Sequence, residues 1–284
     1  MKEGLEKLGK SVDFFSKDKL TLNQLAIFGE SEIKGDDCDF DRYDMLISVD
    51  ASSFDRLGAY AEGFASHSST LILDHHRGNN LTGTFKYVFP EYSSCSEMVM
   101  ELLNFLKIKI DKHMASLLYS GLSADTNSFI NTNVNYNSFY VALKLISLGA
   151  DVNKINELQY KNKTKIEVEC KKYLWSNFKY CDDVSYIVVS NKALSEMGAT
   201  KPDCDNFSNE LLSIQGIHYS FSLIEEEQGK INLSMRSKDG YNVQKIASSL
   251  GGGGHLCASG ATIFNKTLQD ALDIVLNEVK KSKS

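Results

Sequence analysis

The chain has 284 residues, 42% of them hydrophobic, which is enough for two modest buried cores or one large one. Its formal net charge of −6 argues against a broad basic surface for long duplex DNA. The six cysteines form no C-x-x-C pair, and no segment has the pattern of a signal peptide or the length of a membrane span. We therefore expect a reduced, cytoplasmic protein that does not associate with membranes.

The first half of the chain alternates between helical and strand patterns. The strand pattern that ends at Asp50 is apolar on both faces, as in a covered parallel sheet. This alternation predicts an α/β domain with a parallel sheet over residues 1–160. The predicted elements are a helix that ends at Gly9, strands at 11–15, 43–50 and 69–76, a crossover helix at 54–67, and helices at 97–107, 113–125 and 138–149.

The second half begins with a charged helical pattern, which predicts a connecting helix over residues 161–183. Residues 184–284 then predict a second, smaller α/β domain, and the tail from Lys280 is predicted to be disordered. The predicted elements are strands at 184–190, 217–227, 230–237 and 258–264, helices at 207–216, 241–250 and 267–279, and a loop at 251–255.

Acidic and imidazole side chains follow three of the predicted apolar segments. Asp50 ends one strand, Asp74, His75 and His76 end the next, and Asp125 follows an apolar helix. Ligands of open α/β sheets bind beyond the carboxyl ends of the strands. Asp50 alone could cap a helix. Adjacent strand residues point to opposite faces, so the two histidines cannot both serve one apolar core.

This combination of side chains favours a metal site. Carboxylates mixed with imidazoles suit Mn²⁺ or Fe²⁺ better than Ca²⁺. Asp74 could orient a neighbouring imidazole rather than bind the metal itself.

A glycine run in the second domain predicts an anion-binding segment. The stretch GGGGHLCASG contains Gly252, Gly253 and Gly254, whose backbone N–H groups can approach an anion closely, and His255 follows them. Arg236 and Ser237 end a predicted strand and add donors for a phosphate group. The alternative reading is a tight turn followed by a surface histidine.

The tripeptide DHH at 74–76 and the GGGGHLCASG segment together resemble the DHH phosphoesterases that carry a DHH-associated C-terminal domain. Within that family the chain is most similar to the bacterial nanoRNase/pAp phosphatases, relatives of the RecJ exonucleases. SVDASSFDRLG, LDHHRGNN, SGLSADTNSF and LSMRS resemble further family motifs, so the resemblance covers nearly the whole chain.

The resemblance implies an active-site cleft between the two domains that holds two Mn²⁺ ions. It implies that Asp50 bridges the metals, that His75 and Asp125 are ligands, and that His76 and Asp74 are catalytic. His76 would contact the phosphate or the attacking water, and Asp74 would support the imidazoles. Arg236, Ser237, Gly252, Gly253, Gly254 and His255 would hold the nucleotide.

The implied reaction is two-metal hydrolysis of phosphate esters. The implied substrates are short single-stranded oligonucleotides, which would be cut to mononucleotides, and 3′-phosphoadenosine 5′-phosphate, which would be converted to AMP. The resemblance also implies a possible homodimer formed through the first domain.

One family motif has no counterpart in this sequence. Such proteins begin with a His-x-x-Pro-Asp-x-Asp segment that supplies further metal ligands, and the only prolines here are Pro90 and Pro202. We therefore expect an N-terminally truncated DHH domain that holds at most one Mn²⁺ and is weakly active or inactive. The acidic run from Gly35 to Asp41 is interpreted as a solvated loop rather than a substitute.

Two alternatives to the phosphoesterase remain open from the sequence. One is a catalytically impaired nucleotide-binding protein, because the ligands of the first motif are absent. The other is a phosphodiesterase that acts on cyclic or linear dinucleotides.

Overall fold

A computed structural model describes residues 1–17, 20–29, 39–227, 229–238 and 240–283. The contacts between Cα atoms divide the chain into unit 1, Met1–Asn162, and unit 2, Lys163–Ser284. None of the helices within the described residues is both long enough and apolar enough to cross a membrane.

Unit 1 contains three strands and eight α-helices within the described residues. The strands are β1 Leu46–Val49, β2 Thr70–Asp74 and β3 Phe85–Val88. The helices are α1 Lys2–Lys7, α2 Leu22–Phe28, α3 Phe54–Leu57, α4 Ala61–Ser66, α5 Cys95–Phe105, α6 Lys112–Asp125, α7 Tyr136–Ser147 and α8 Val152–Asn156. A π-helical turn, Glu157–Lys161, follows α8.

The three strands form a parallel sheet in the order β1-β2-β3, with Val49 opposite Leu73. This confirms the predicted parallel α/β architecture and puts the carboxyl ends of β1 and β2 side by side. Helices α5, α6, α7 and α8 enclose the largest core of unit 1, in which Leu103, Leu122 and Leu145 are fully buried. The regular spacing of apolar residues along these helices is the signal from which the sequence predicts them.

The prediction of a strand at residues 11–15 is wrong, because only Phe14 forms an isolated bridge there. Phe15 instead packs in an aromatic cluster with Phe40, Tyr43 and Tyr60. The crossover helix predicted at 54–67 is interrupted at Gly58, whose φ of 60° no regular helix accommodates. The sequence analysis missed β3 and α2.

The acidic run is only partly described. Residues 35–38 lie outside the described residues, and Asp39 caps a short 3₁₀ turn at Phe40–Arg42.

Unit 2 contains a six-stranded sheet in the order β4-β5-β6-β7-β9-β8. Its strands are β4 Lys179–Cys181, β5 Val184–Val189, β6 Tyr219–Glu227, β7 Lys230–Ser237, β8 Gly253–His255 and β9 Ala258–Phe264. Its helices are α9 Lys165–Asn177, α10 Asn191–Met197, α11 Phe207–Leu212, α12 Val243–Ser249 and α13 Leu268–Lys283. The predicted β6–β7 hairpin is present, and β5 and β6 run parallel.

Three features of unit 2 differ from the expectations. Helix α9 covers only part of the segment 161–183, because the chain reverses at Asp182, with φ of 53°, to pair β4 with β5. Residues 253–255 form a short strand rather than a loop. Helix α13 continues to Lys283, so the tail described here is helical, and Lys283 forms an ion pair with Asp183. Lysines near a helix C-terminus also interact favourably with the helix dipole.

The backbone at Gly252 leaves no room for a side chain. A Cβ atom added there would lie 2.1 Å from the carbonyl oxygen of Gly260 and 2.7 Å from the Cα atom of Ala261. A Cβ atom added at Gly253 would meet nothing within 4 Å. The close approach of the glycine run to β9 therefore depends on Gly252 rather than on Gly253.

We predict that Gly252→Ala lowers the free energy of unfolding by about 1–3 kcal/mol, the usual cost of forcing atoms into a packed region. The matched variant Gly253→Ala should change it by no more than about 0.5 kcal/mol. Urea unfolding followed by the fluorescence of Trp175, the single tryptophan, which lies in unit 2, measures both. Equal stabilities of the two variants would contradict this packing.

Candidate metal centre and nucleotide-binding residues

The carboxyl ends of β1 and β2 bring Asp50 next to the DHH tripeptide. The N–H of Asp50 donates a hydrogen bond of 3.0 Å to the carbonyl of Leu73. This bond keeps the two segments adjacent just beyond the end of strand β1. Asp50 then turns sharply, with a left-handed φ of 61°. This conformation is uncommon for a residue with a side chain and is typical of functional sites. Ser53 occupies the N-cap position of α3, so Asp50 is not its N-cap.

The three residues predicted as metal ligands converge. His75 Nε2 lies 3.4 Å from Asp50 Oδ1 and 3.7 Å from Asp125 Oδ2. His76 Nδ1 lies 3.7 Å from the same Asp50 oxygen. Residues far apart in the sequence thus present two carboxylates and two imidazoles to one small volume.

The orientation of His75 is set from behind. Its Nδ1–H donates to the carbonyl of Tyr92 at 3.1 Å, because a carbonyl can only accept. The other ring nitrogen, Nε2, therefore faces the two carboxylates. A metal-binding histidine is held in this way in most proteins, with one ring nitrogen bound to a protein acceptor and the other directed at the metal.

Asp74 is fully buried and its oxygens are occupied by donors. Its Oδ1 accepts from the His75 N–H at 2.9 Å and from His76 Nδ1 at 2.7 Å, and its Oδ2 accepts from Asn79 Nδ2 at 2.5 Å. Burial alone would raise the pKa of Asp74, but the hydrogen bonds from Asn79 and His76 lower it below its usual value. Asp74 is thus placed to orient His76.

Asp125 is fixed by the turn that follows α6. Asn127, Ser128 and Phe129 all have left-handed φ values, of 47°, 55° and 65°. Nδ2 atoms of Asn131 and Asn133 donate to the Asp125 carbonyl at 3.0 and 3.3 Å. The asparagines of the NTNVN stretch therefore position a site residue, a role that the sequence analysis did not assign. Their only signal was the unusual density of asparagine.

The carbonyl of Tyr92 orients His75, and the next residue, Ser93, lies in a buried cluster of polar side chains. The Glu97 carboxylate accepts a short hydrogen bond from the Ser93 hydroxyl, which in turn accepts from the Ser138 hydroxyl at 2.9 Å. Asn133 Nδ2 donates to the Ser93 carbonyl at 2.8 Å. Burial raises the pKa of Glu97. The sequence analysis missed this cluster because its members are brought together only by the fold.

The electrostatics of the site suit a cation. The Asp50 carboxylate is the main cause that raises the pKa of His75 to about 9. Burial, with repulsion from Asp50, raises the pKa of Asp125 to about 6. Two carboxylates close together, with an imidazole that holds a proton between them, form a strongly negative pocket, and a divalent ion can replace that proton.

Two groups of side chains within the described residues have ligand atoms that all lie within 4.8 Å of one another. They are Asp50–His75–His76 and Asp50–Asp74–Cys95. In the second group Asp74 is occupied, and the Cys95 thiol donates to the Leu73 carbonyl while burial raises its pKa, so it is a poor ligand. In the first group His76 Nδ1 is bound to Asp74, so Asp50 and His75, together with Asp125, are the residues that fit a metal ion of the Mn²⁺ or Fe²⁺ type.

The predicted nucleotide-binding residues lie on the sheet of unit 2. Arg236 and His255 both stand opposite Ala258, on the two strands that flank β9, so their side chains share one face of the sheet. Arg236 is half-buried, and its Nε donates to Asn209 Oδ1 at 3.0 Å. Burial lowers the pKa of its guanidinium.

Ser237 and the first glycines of the run are differently placed. Ser237 lies on the opposite, buried face of β7, and its hydroxyl donates to the Tyr241 carbonyl. The N–H groups of Gly251 and Gly252 donate to carbonyls of α12 and close that helix. Gly253 and Gly254 pair with β9 and are exposed next to His255.

Two family descriptions match the chain in sequence order. "DHH family, N-terminal domain" matches residues 1–122, and "DHHA1 domain" matches residues 183–281. Asp50 and the DHH tripeptide fall inside the first match, Asp125 lies just beyond it, and Arg236 and His255 fall inside the second. The chain therefore belongs to the DHH family and carries a DHHA1 domain after its DHH domain.

Curated relatives extend this similarity. The chain is 33% identical over 215 residues to the "Bifunctional oligoribonuclease and PAP phosphatase NrnA" of Mycoplasma genitalium, which covers 75% of this chain and 66% of that protein. It is 30% identical over 199 residues to the protein of the same name from Mycoplasma pneumoniae, which covers 70% of this chain and 60% of the relative. The matched region thus spans about two thirds or less of these relatives' lengths.

A solved structure supports the fold. An exopolyphosphatase-related protein from Bacteroides fragilis matches with a TM-score of 0.87 at 24% identity, over 99% of this chain and 86% of that one.

We predict that binding of Mn²⁺ at pH 7.5 releases close to one proton from His75. The metal-free imidazole has its pKa raised to about 9 and is therefore protonated at this pH, whereas a metal requires the neutral ring. The affinity for Mn²⁺ should accordingly rise with pH until about 9 and level off above it.

Calorimetric titration in buffers of different ionisation enthalpy measures the released proton. The control variant His113→Ala removes an imidazole on α6 that pairs with Glu3, outside this cluster, and should release the same number of protons as the natural chain. A binding enthalpy independent of the buffer would contradict a protonated His75 in the metal-free site.

Proposed function

We propose that this chain is a metal-dependent phosphoesterase that hydrolyses short single-stranded oligonucleotides to mononucleotides, and 3′-phosphoadenosine 5′-phosphate to AMP. The observation that carries the proposal is the convergence of Asp50, His75 and Asp125, with His75 Nε2 directed at both carboxylates. The names of the curated relatives support the choice of substrates.

In this proposal Asp50, His75 and Asp125 hold the metal ion. Mn²⁺ bound by such ligands supplies Lewis-acid stabilisation of charge at the phosphoryl group and a lowered pKa for water. Asp125 and Asp50 contribute the negative charge that the cation neutralises. Tyr92 contributes through its carbonyl, which holds the imidazole of His75 in the orientation needed.

His76 is proposed as the group that moves a proton. Its Nδ1 is bound to the buried carboxylate of Asp74, so the neutral ring carries its proton on Nδ1 and leaves Nε2 as an acceptor. Nε2 can take a proton from water or return one to a leaving oxygen. The hydrogen bond from Asn79 to Asp74 keeps the carboxylate in place during that exchange.

Arg236 and His255 are proposed to bind the phosphate and the nucleotide in unit 2. A guanidinium offers planar pairs of donors that match phosphate oxygens. Gly253 and Gly254, which are exposed beside His255, allow the backbone to come close to the ligand.

A second candidate is a nucleotide-binding protein with impaired catalysis. Asp50, His75 and Asp125 offer three ligands, whereas an ion of the Mn²⁺ type takes about six and a pair of ions takes more. This ligand count favours at most one ion among the residues that the structure describes. The cytoplasmic location and the homodimer expected from the sequence stay predictions.

We predict Mn²⁺-dependent hydrolysis of a diadenylate and of 3′-phosphoadenosine 5′-phosphate. His75→Ala should reduce kcat by at least about 100-fold, since even the outer partners of metal ligands are worth about 10- to 100-fold. Arg236→Ala should mainly raise KM, because Arg236 is assigned to binding. Release of AMP, quantified by chromatography, measures both variants.

His113→Ala is the matched histidine control and should keep the activity of the natural chain. Equal turnover by His75→Ala would contradict the proposed centre. Binding of the bisphosphate that depends on Arg236, without turnover in Mn²⁺, would select the second candidate.

A further inference from the structure

Strand β3, the last strand of the sheet in unit 1, carries a line of aromatic side chains that have no role in the proposed metal centre. Among the strands that the structure describes, β3 has a single neighbour, β2. Phe85, Tyr87 and Phe89 alternate along β3 and its extension, and they are 48%, 50% and 41% exposed. Large apolar groups exposed in a row are unusual on a protein surface and indicate a binding function.

The rings of Tyr87, Phe89 and Tyr92 form a continuous set, here called the aromatic run. The ring centroids of Tyr87 and Phe89 are 6.4 Å apart, and those of Phe89 and Tyr92 are 6.2 Å apart. Alternate residues of a strand are separated by about 6.6 Å and point to the same face, which explains the spacing of Tyr87 and Phe89. Tyr92 lies beyond the strand and is brought to Phe89 by a turn, in which its N–H donates to the Phe89 carbonyl at 3.2 Å. Lys86 lies between these positions, and its ammonium group donates to the carbonyls of Asn79 and Leu81.

The aromatic run is joined to the metal centre by the backbone. The N–H of Phe89 donates to the carbonyl of Asp74 at 3.0 Å. The carbonyl of Tyr92 accepts from His75 at 3.1 Å. Both ends of the segment 89–92 are therefore fixed to residues of the DHH tripeptide. The aromatic run therefore begins at residues that are hydrogen-bonded to the DHH tripeptide.

We propose that the aromatic run stacks the bases of single-stranded oligonucleotides while one phosphate ester lies at the metal centre. Stacking on aromatic rings is tolerant of sequence, because every base has a π face, and it is the usual means of holding single strands without reading them. This inference rests on the proposed function and adds to it the part of unit 1 that recognises nucleotides beyond the one released.

The proposal predicts that affinity increases with oligonucleotide length because successive bases reach successive rings. In the natural chain, Kd should fall from the dinucleotide to the tetranucleotide. Phe89→Ala and Tyr87→Ala should each weaken binding of the tetranucleotide by about 5- to 100-fold, with a larger loss for longer oligonucleotides. Calorimetric titration with oligoadenylates of two, three and four nucleotides, carrying phosphorothioate linkages that slow hydrolysis and with Mn²⁺ present, measures Kd.

The matched control is Phe105→Ala, which removes an aromatic ring that is 81% exposed at the end of α5 in the same unit. It should leave the length dependence unchanged. Phe89→Trp should preserve the affinity, and its indole fluorescence should be quenched by oligoadenylate. A purely structural role of Phe89 would not produce such quenching.

Three results would overturn the inference. One is a natural chain whose affinity does not depend on length. Another is unchanged length dependence in Phe89→Ala and Tyr87→Ala. The third is conversion of a dimer to a monomer by Phe89→Ala in sedimentation, with no quenching in Phe89→Trp, which would identify this face as a self-association surface. If the natural chain shows no Mn²⁺-dependent turnover, the proposed function is refuted instead. Failure of the stacking proposal and failure of the proposed function are therefore distinguishable.

Discussion

The buried carboxylate of Asp74 is the constraint on which the rest of the site depends. A charged group without exposure is costly unless donors surround it, and here the donors are the His75 N–H, the His76 imidazole and the Asn79 amide. Satisfying Asp74 therefore fixes the backbone at His75, the ring of His76 and the start of the following turn at the same time. The polar end of an apolar strand becomes a rigid element on which the ligands can be arranged.

Rigid support on the other side of His75 completes this arrangement. The Tyr92 carbonyl holds one ring nitrogen, and the neighbouring residue, Ser93, is bound by Glu97, Ser138 and Asn133. Asn133 also reaches the carbonyl of Asp125, so a single amide links the support of His75 to the second carboxylate. Ligands held from behind in this way lose little conformational entropy when a metal binds, which favours a well-defined coordination geometry.

The sequence predicted the elements whose signal is local. Apolar runs that end in Asp50 and in Asp74 revealed two adjacent parallel strands, and the periodic helices that lead to Asp125 were equally clear. The supporting residues could not be found in the same way, because Asn79, Asn133 and the carbonyl of Tyr92 act through contacts that only the fold creates. The predicted strand at 11–15 was wrong because the alternating pattern does not reveal the aromatic cluster around Phe15, and β3 was missed because its aromatic residues are exposed.

The electron paramagnetic resonance signal of free Mn²⁺ gives the number of ions bound per chain and so measures metal binding at this centre. A centre formed by Asp50, His75 and Asp125 should bind one ion per chain, which is lost when His75 is replaced by alanine and retained when His113 is replaced. Undiminished binding of the ion by the His75→Ala chain would show that His75 is not a ligand.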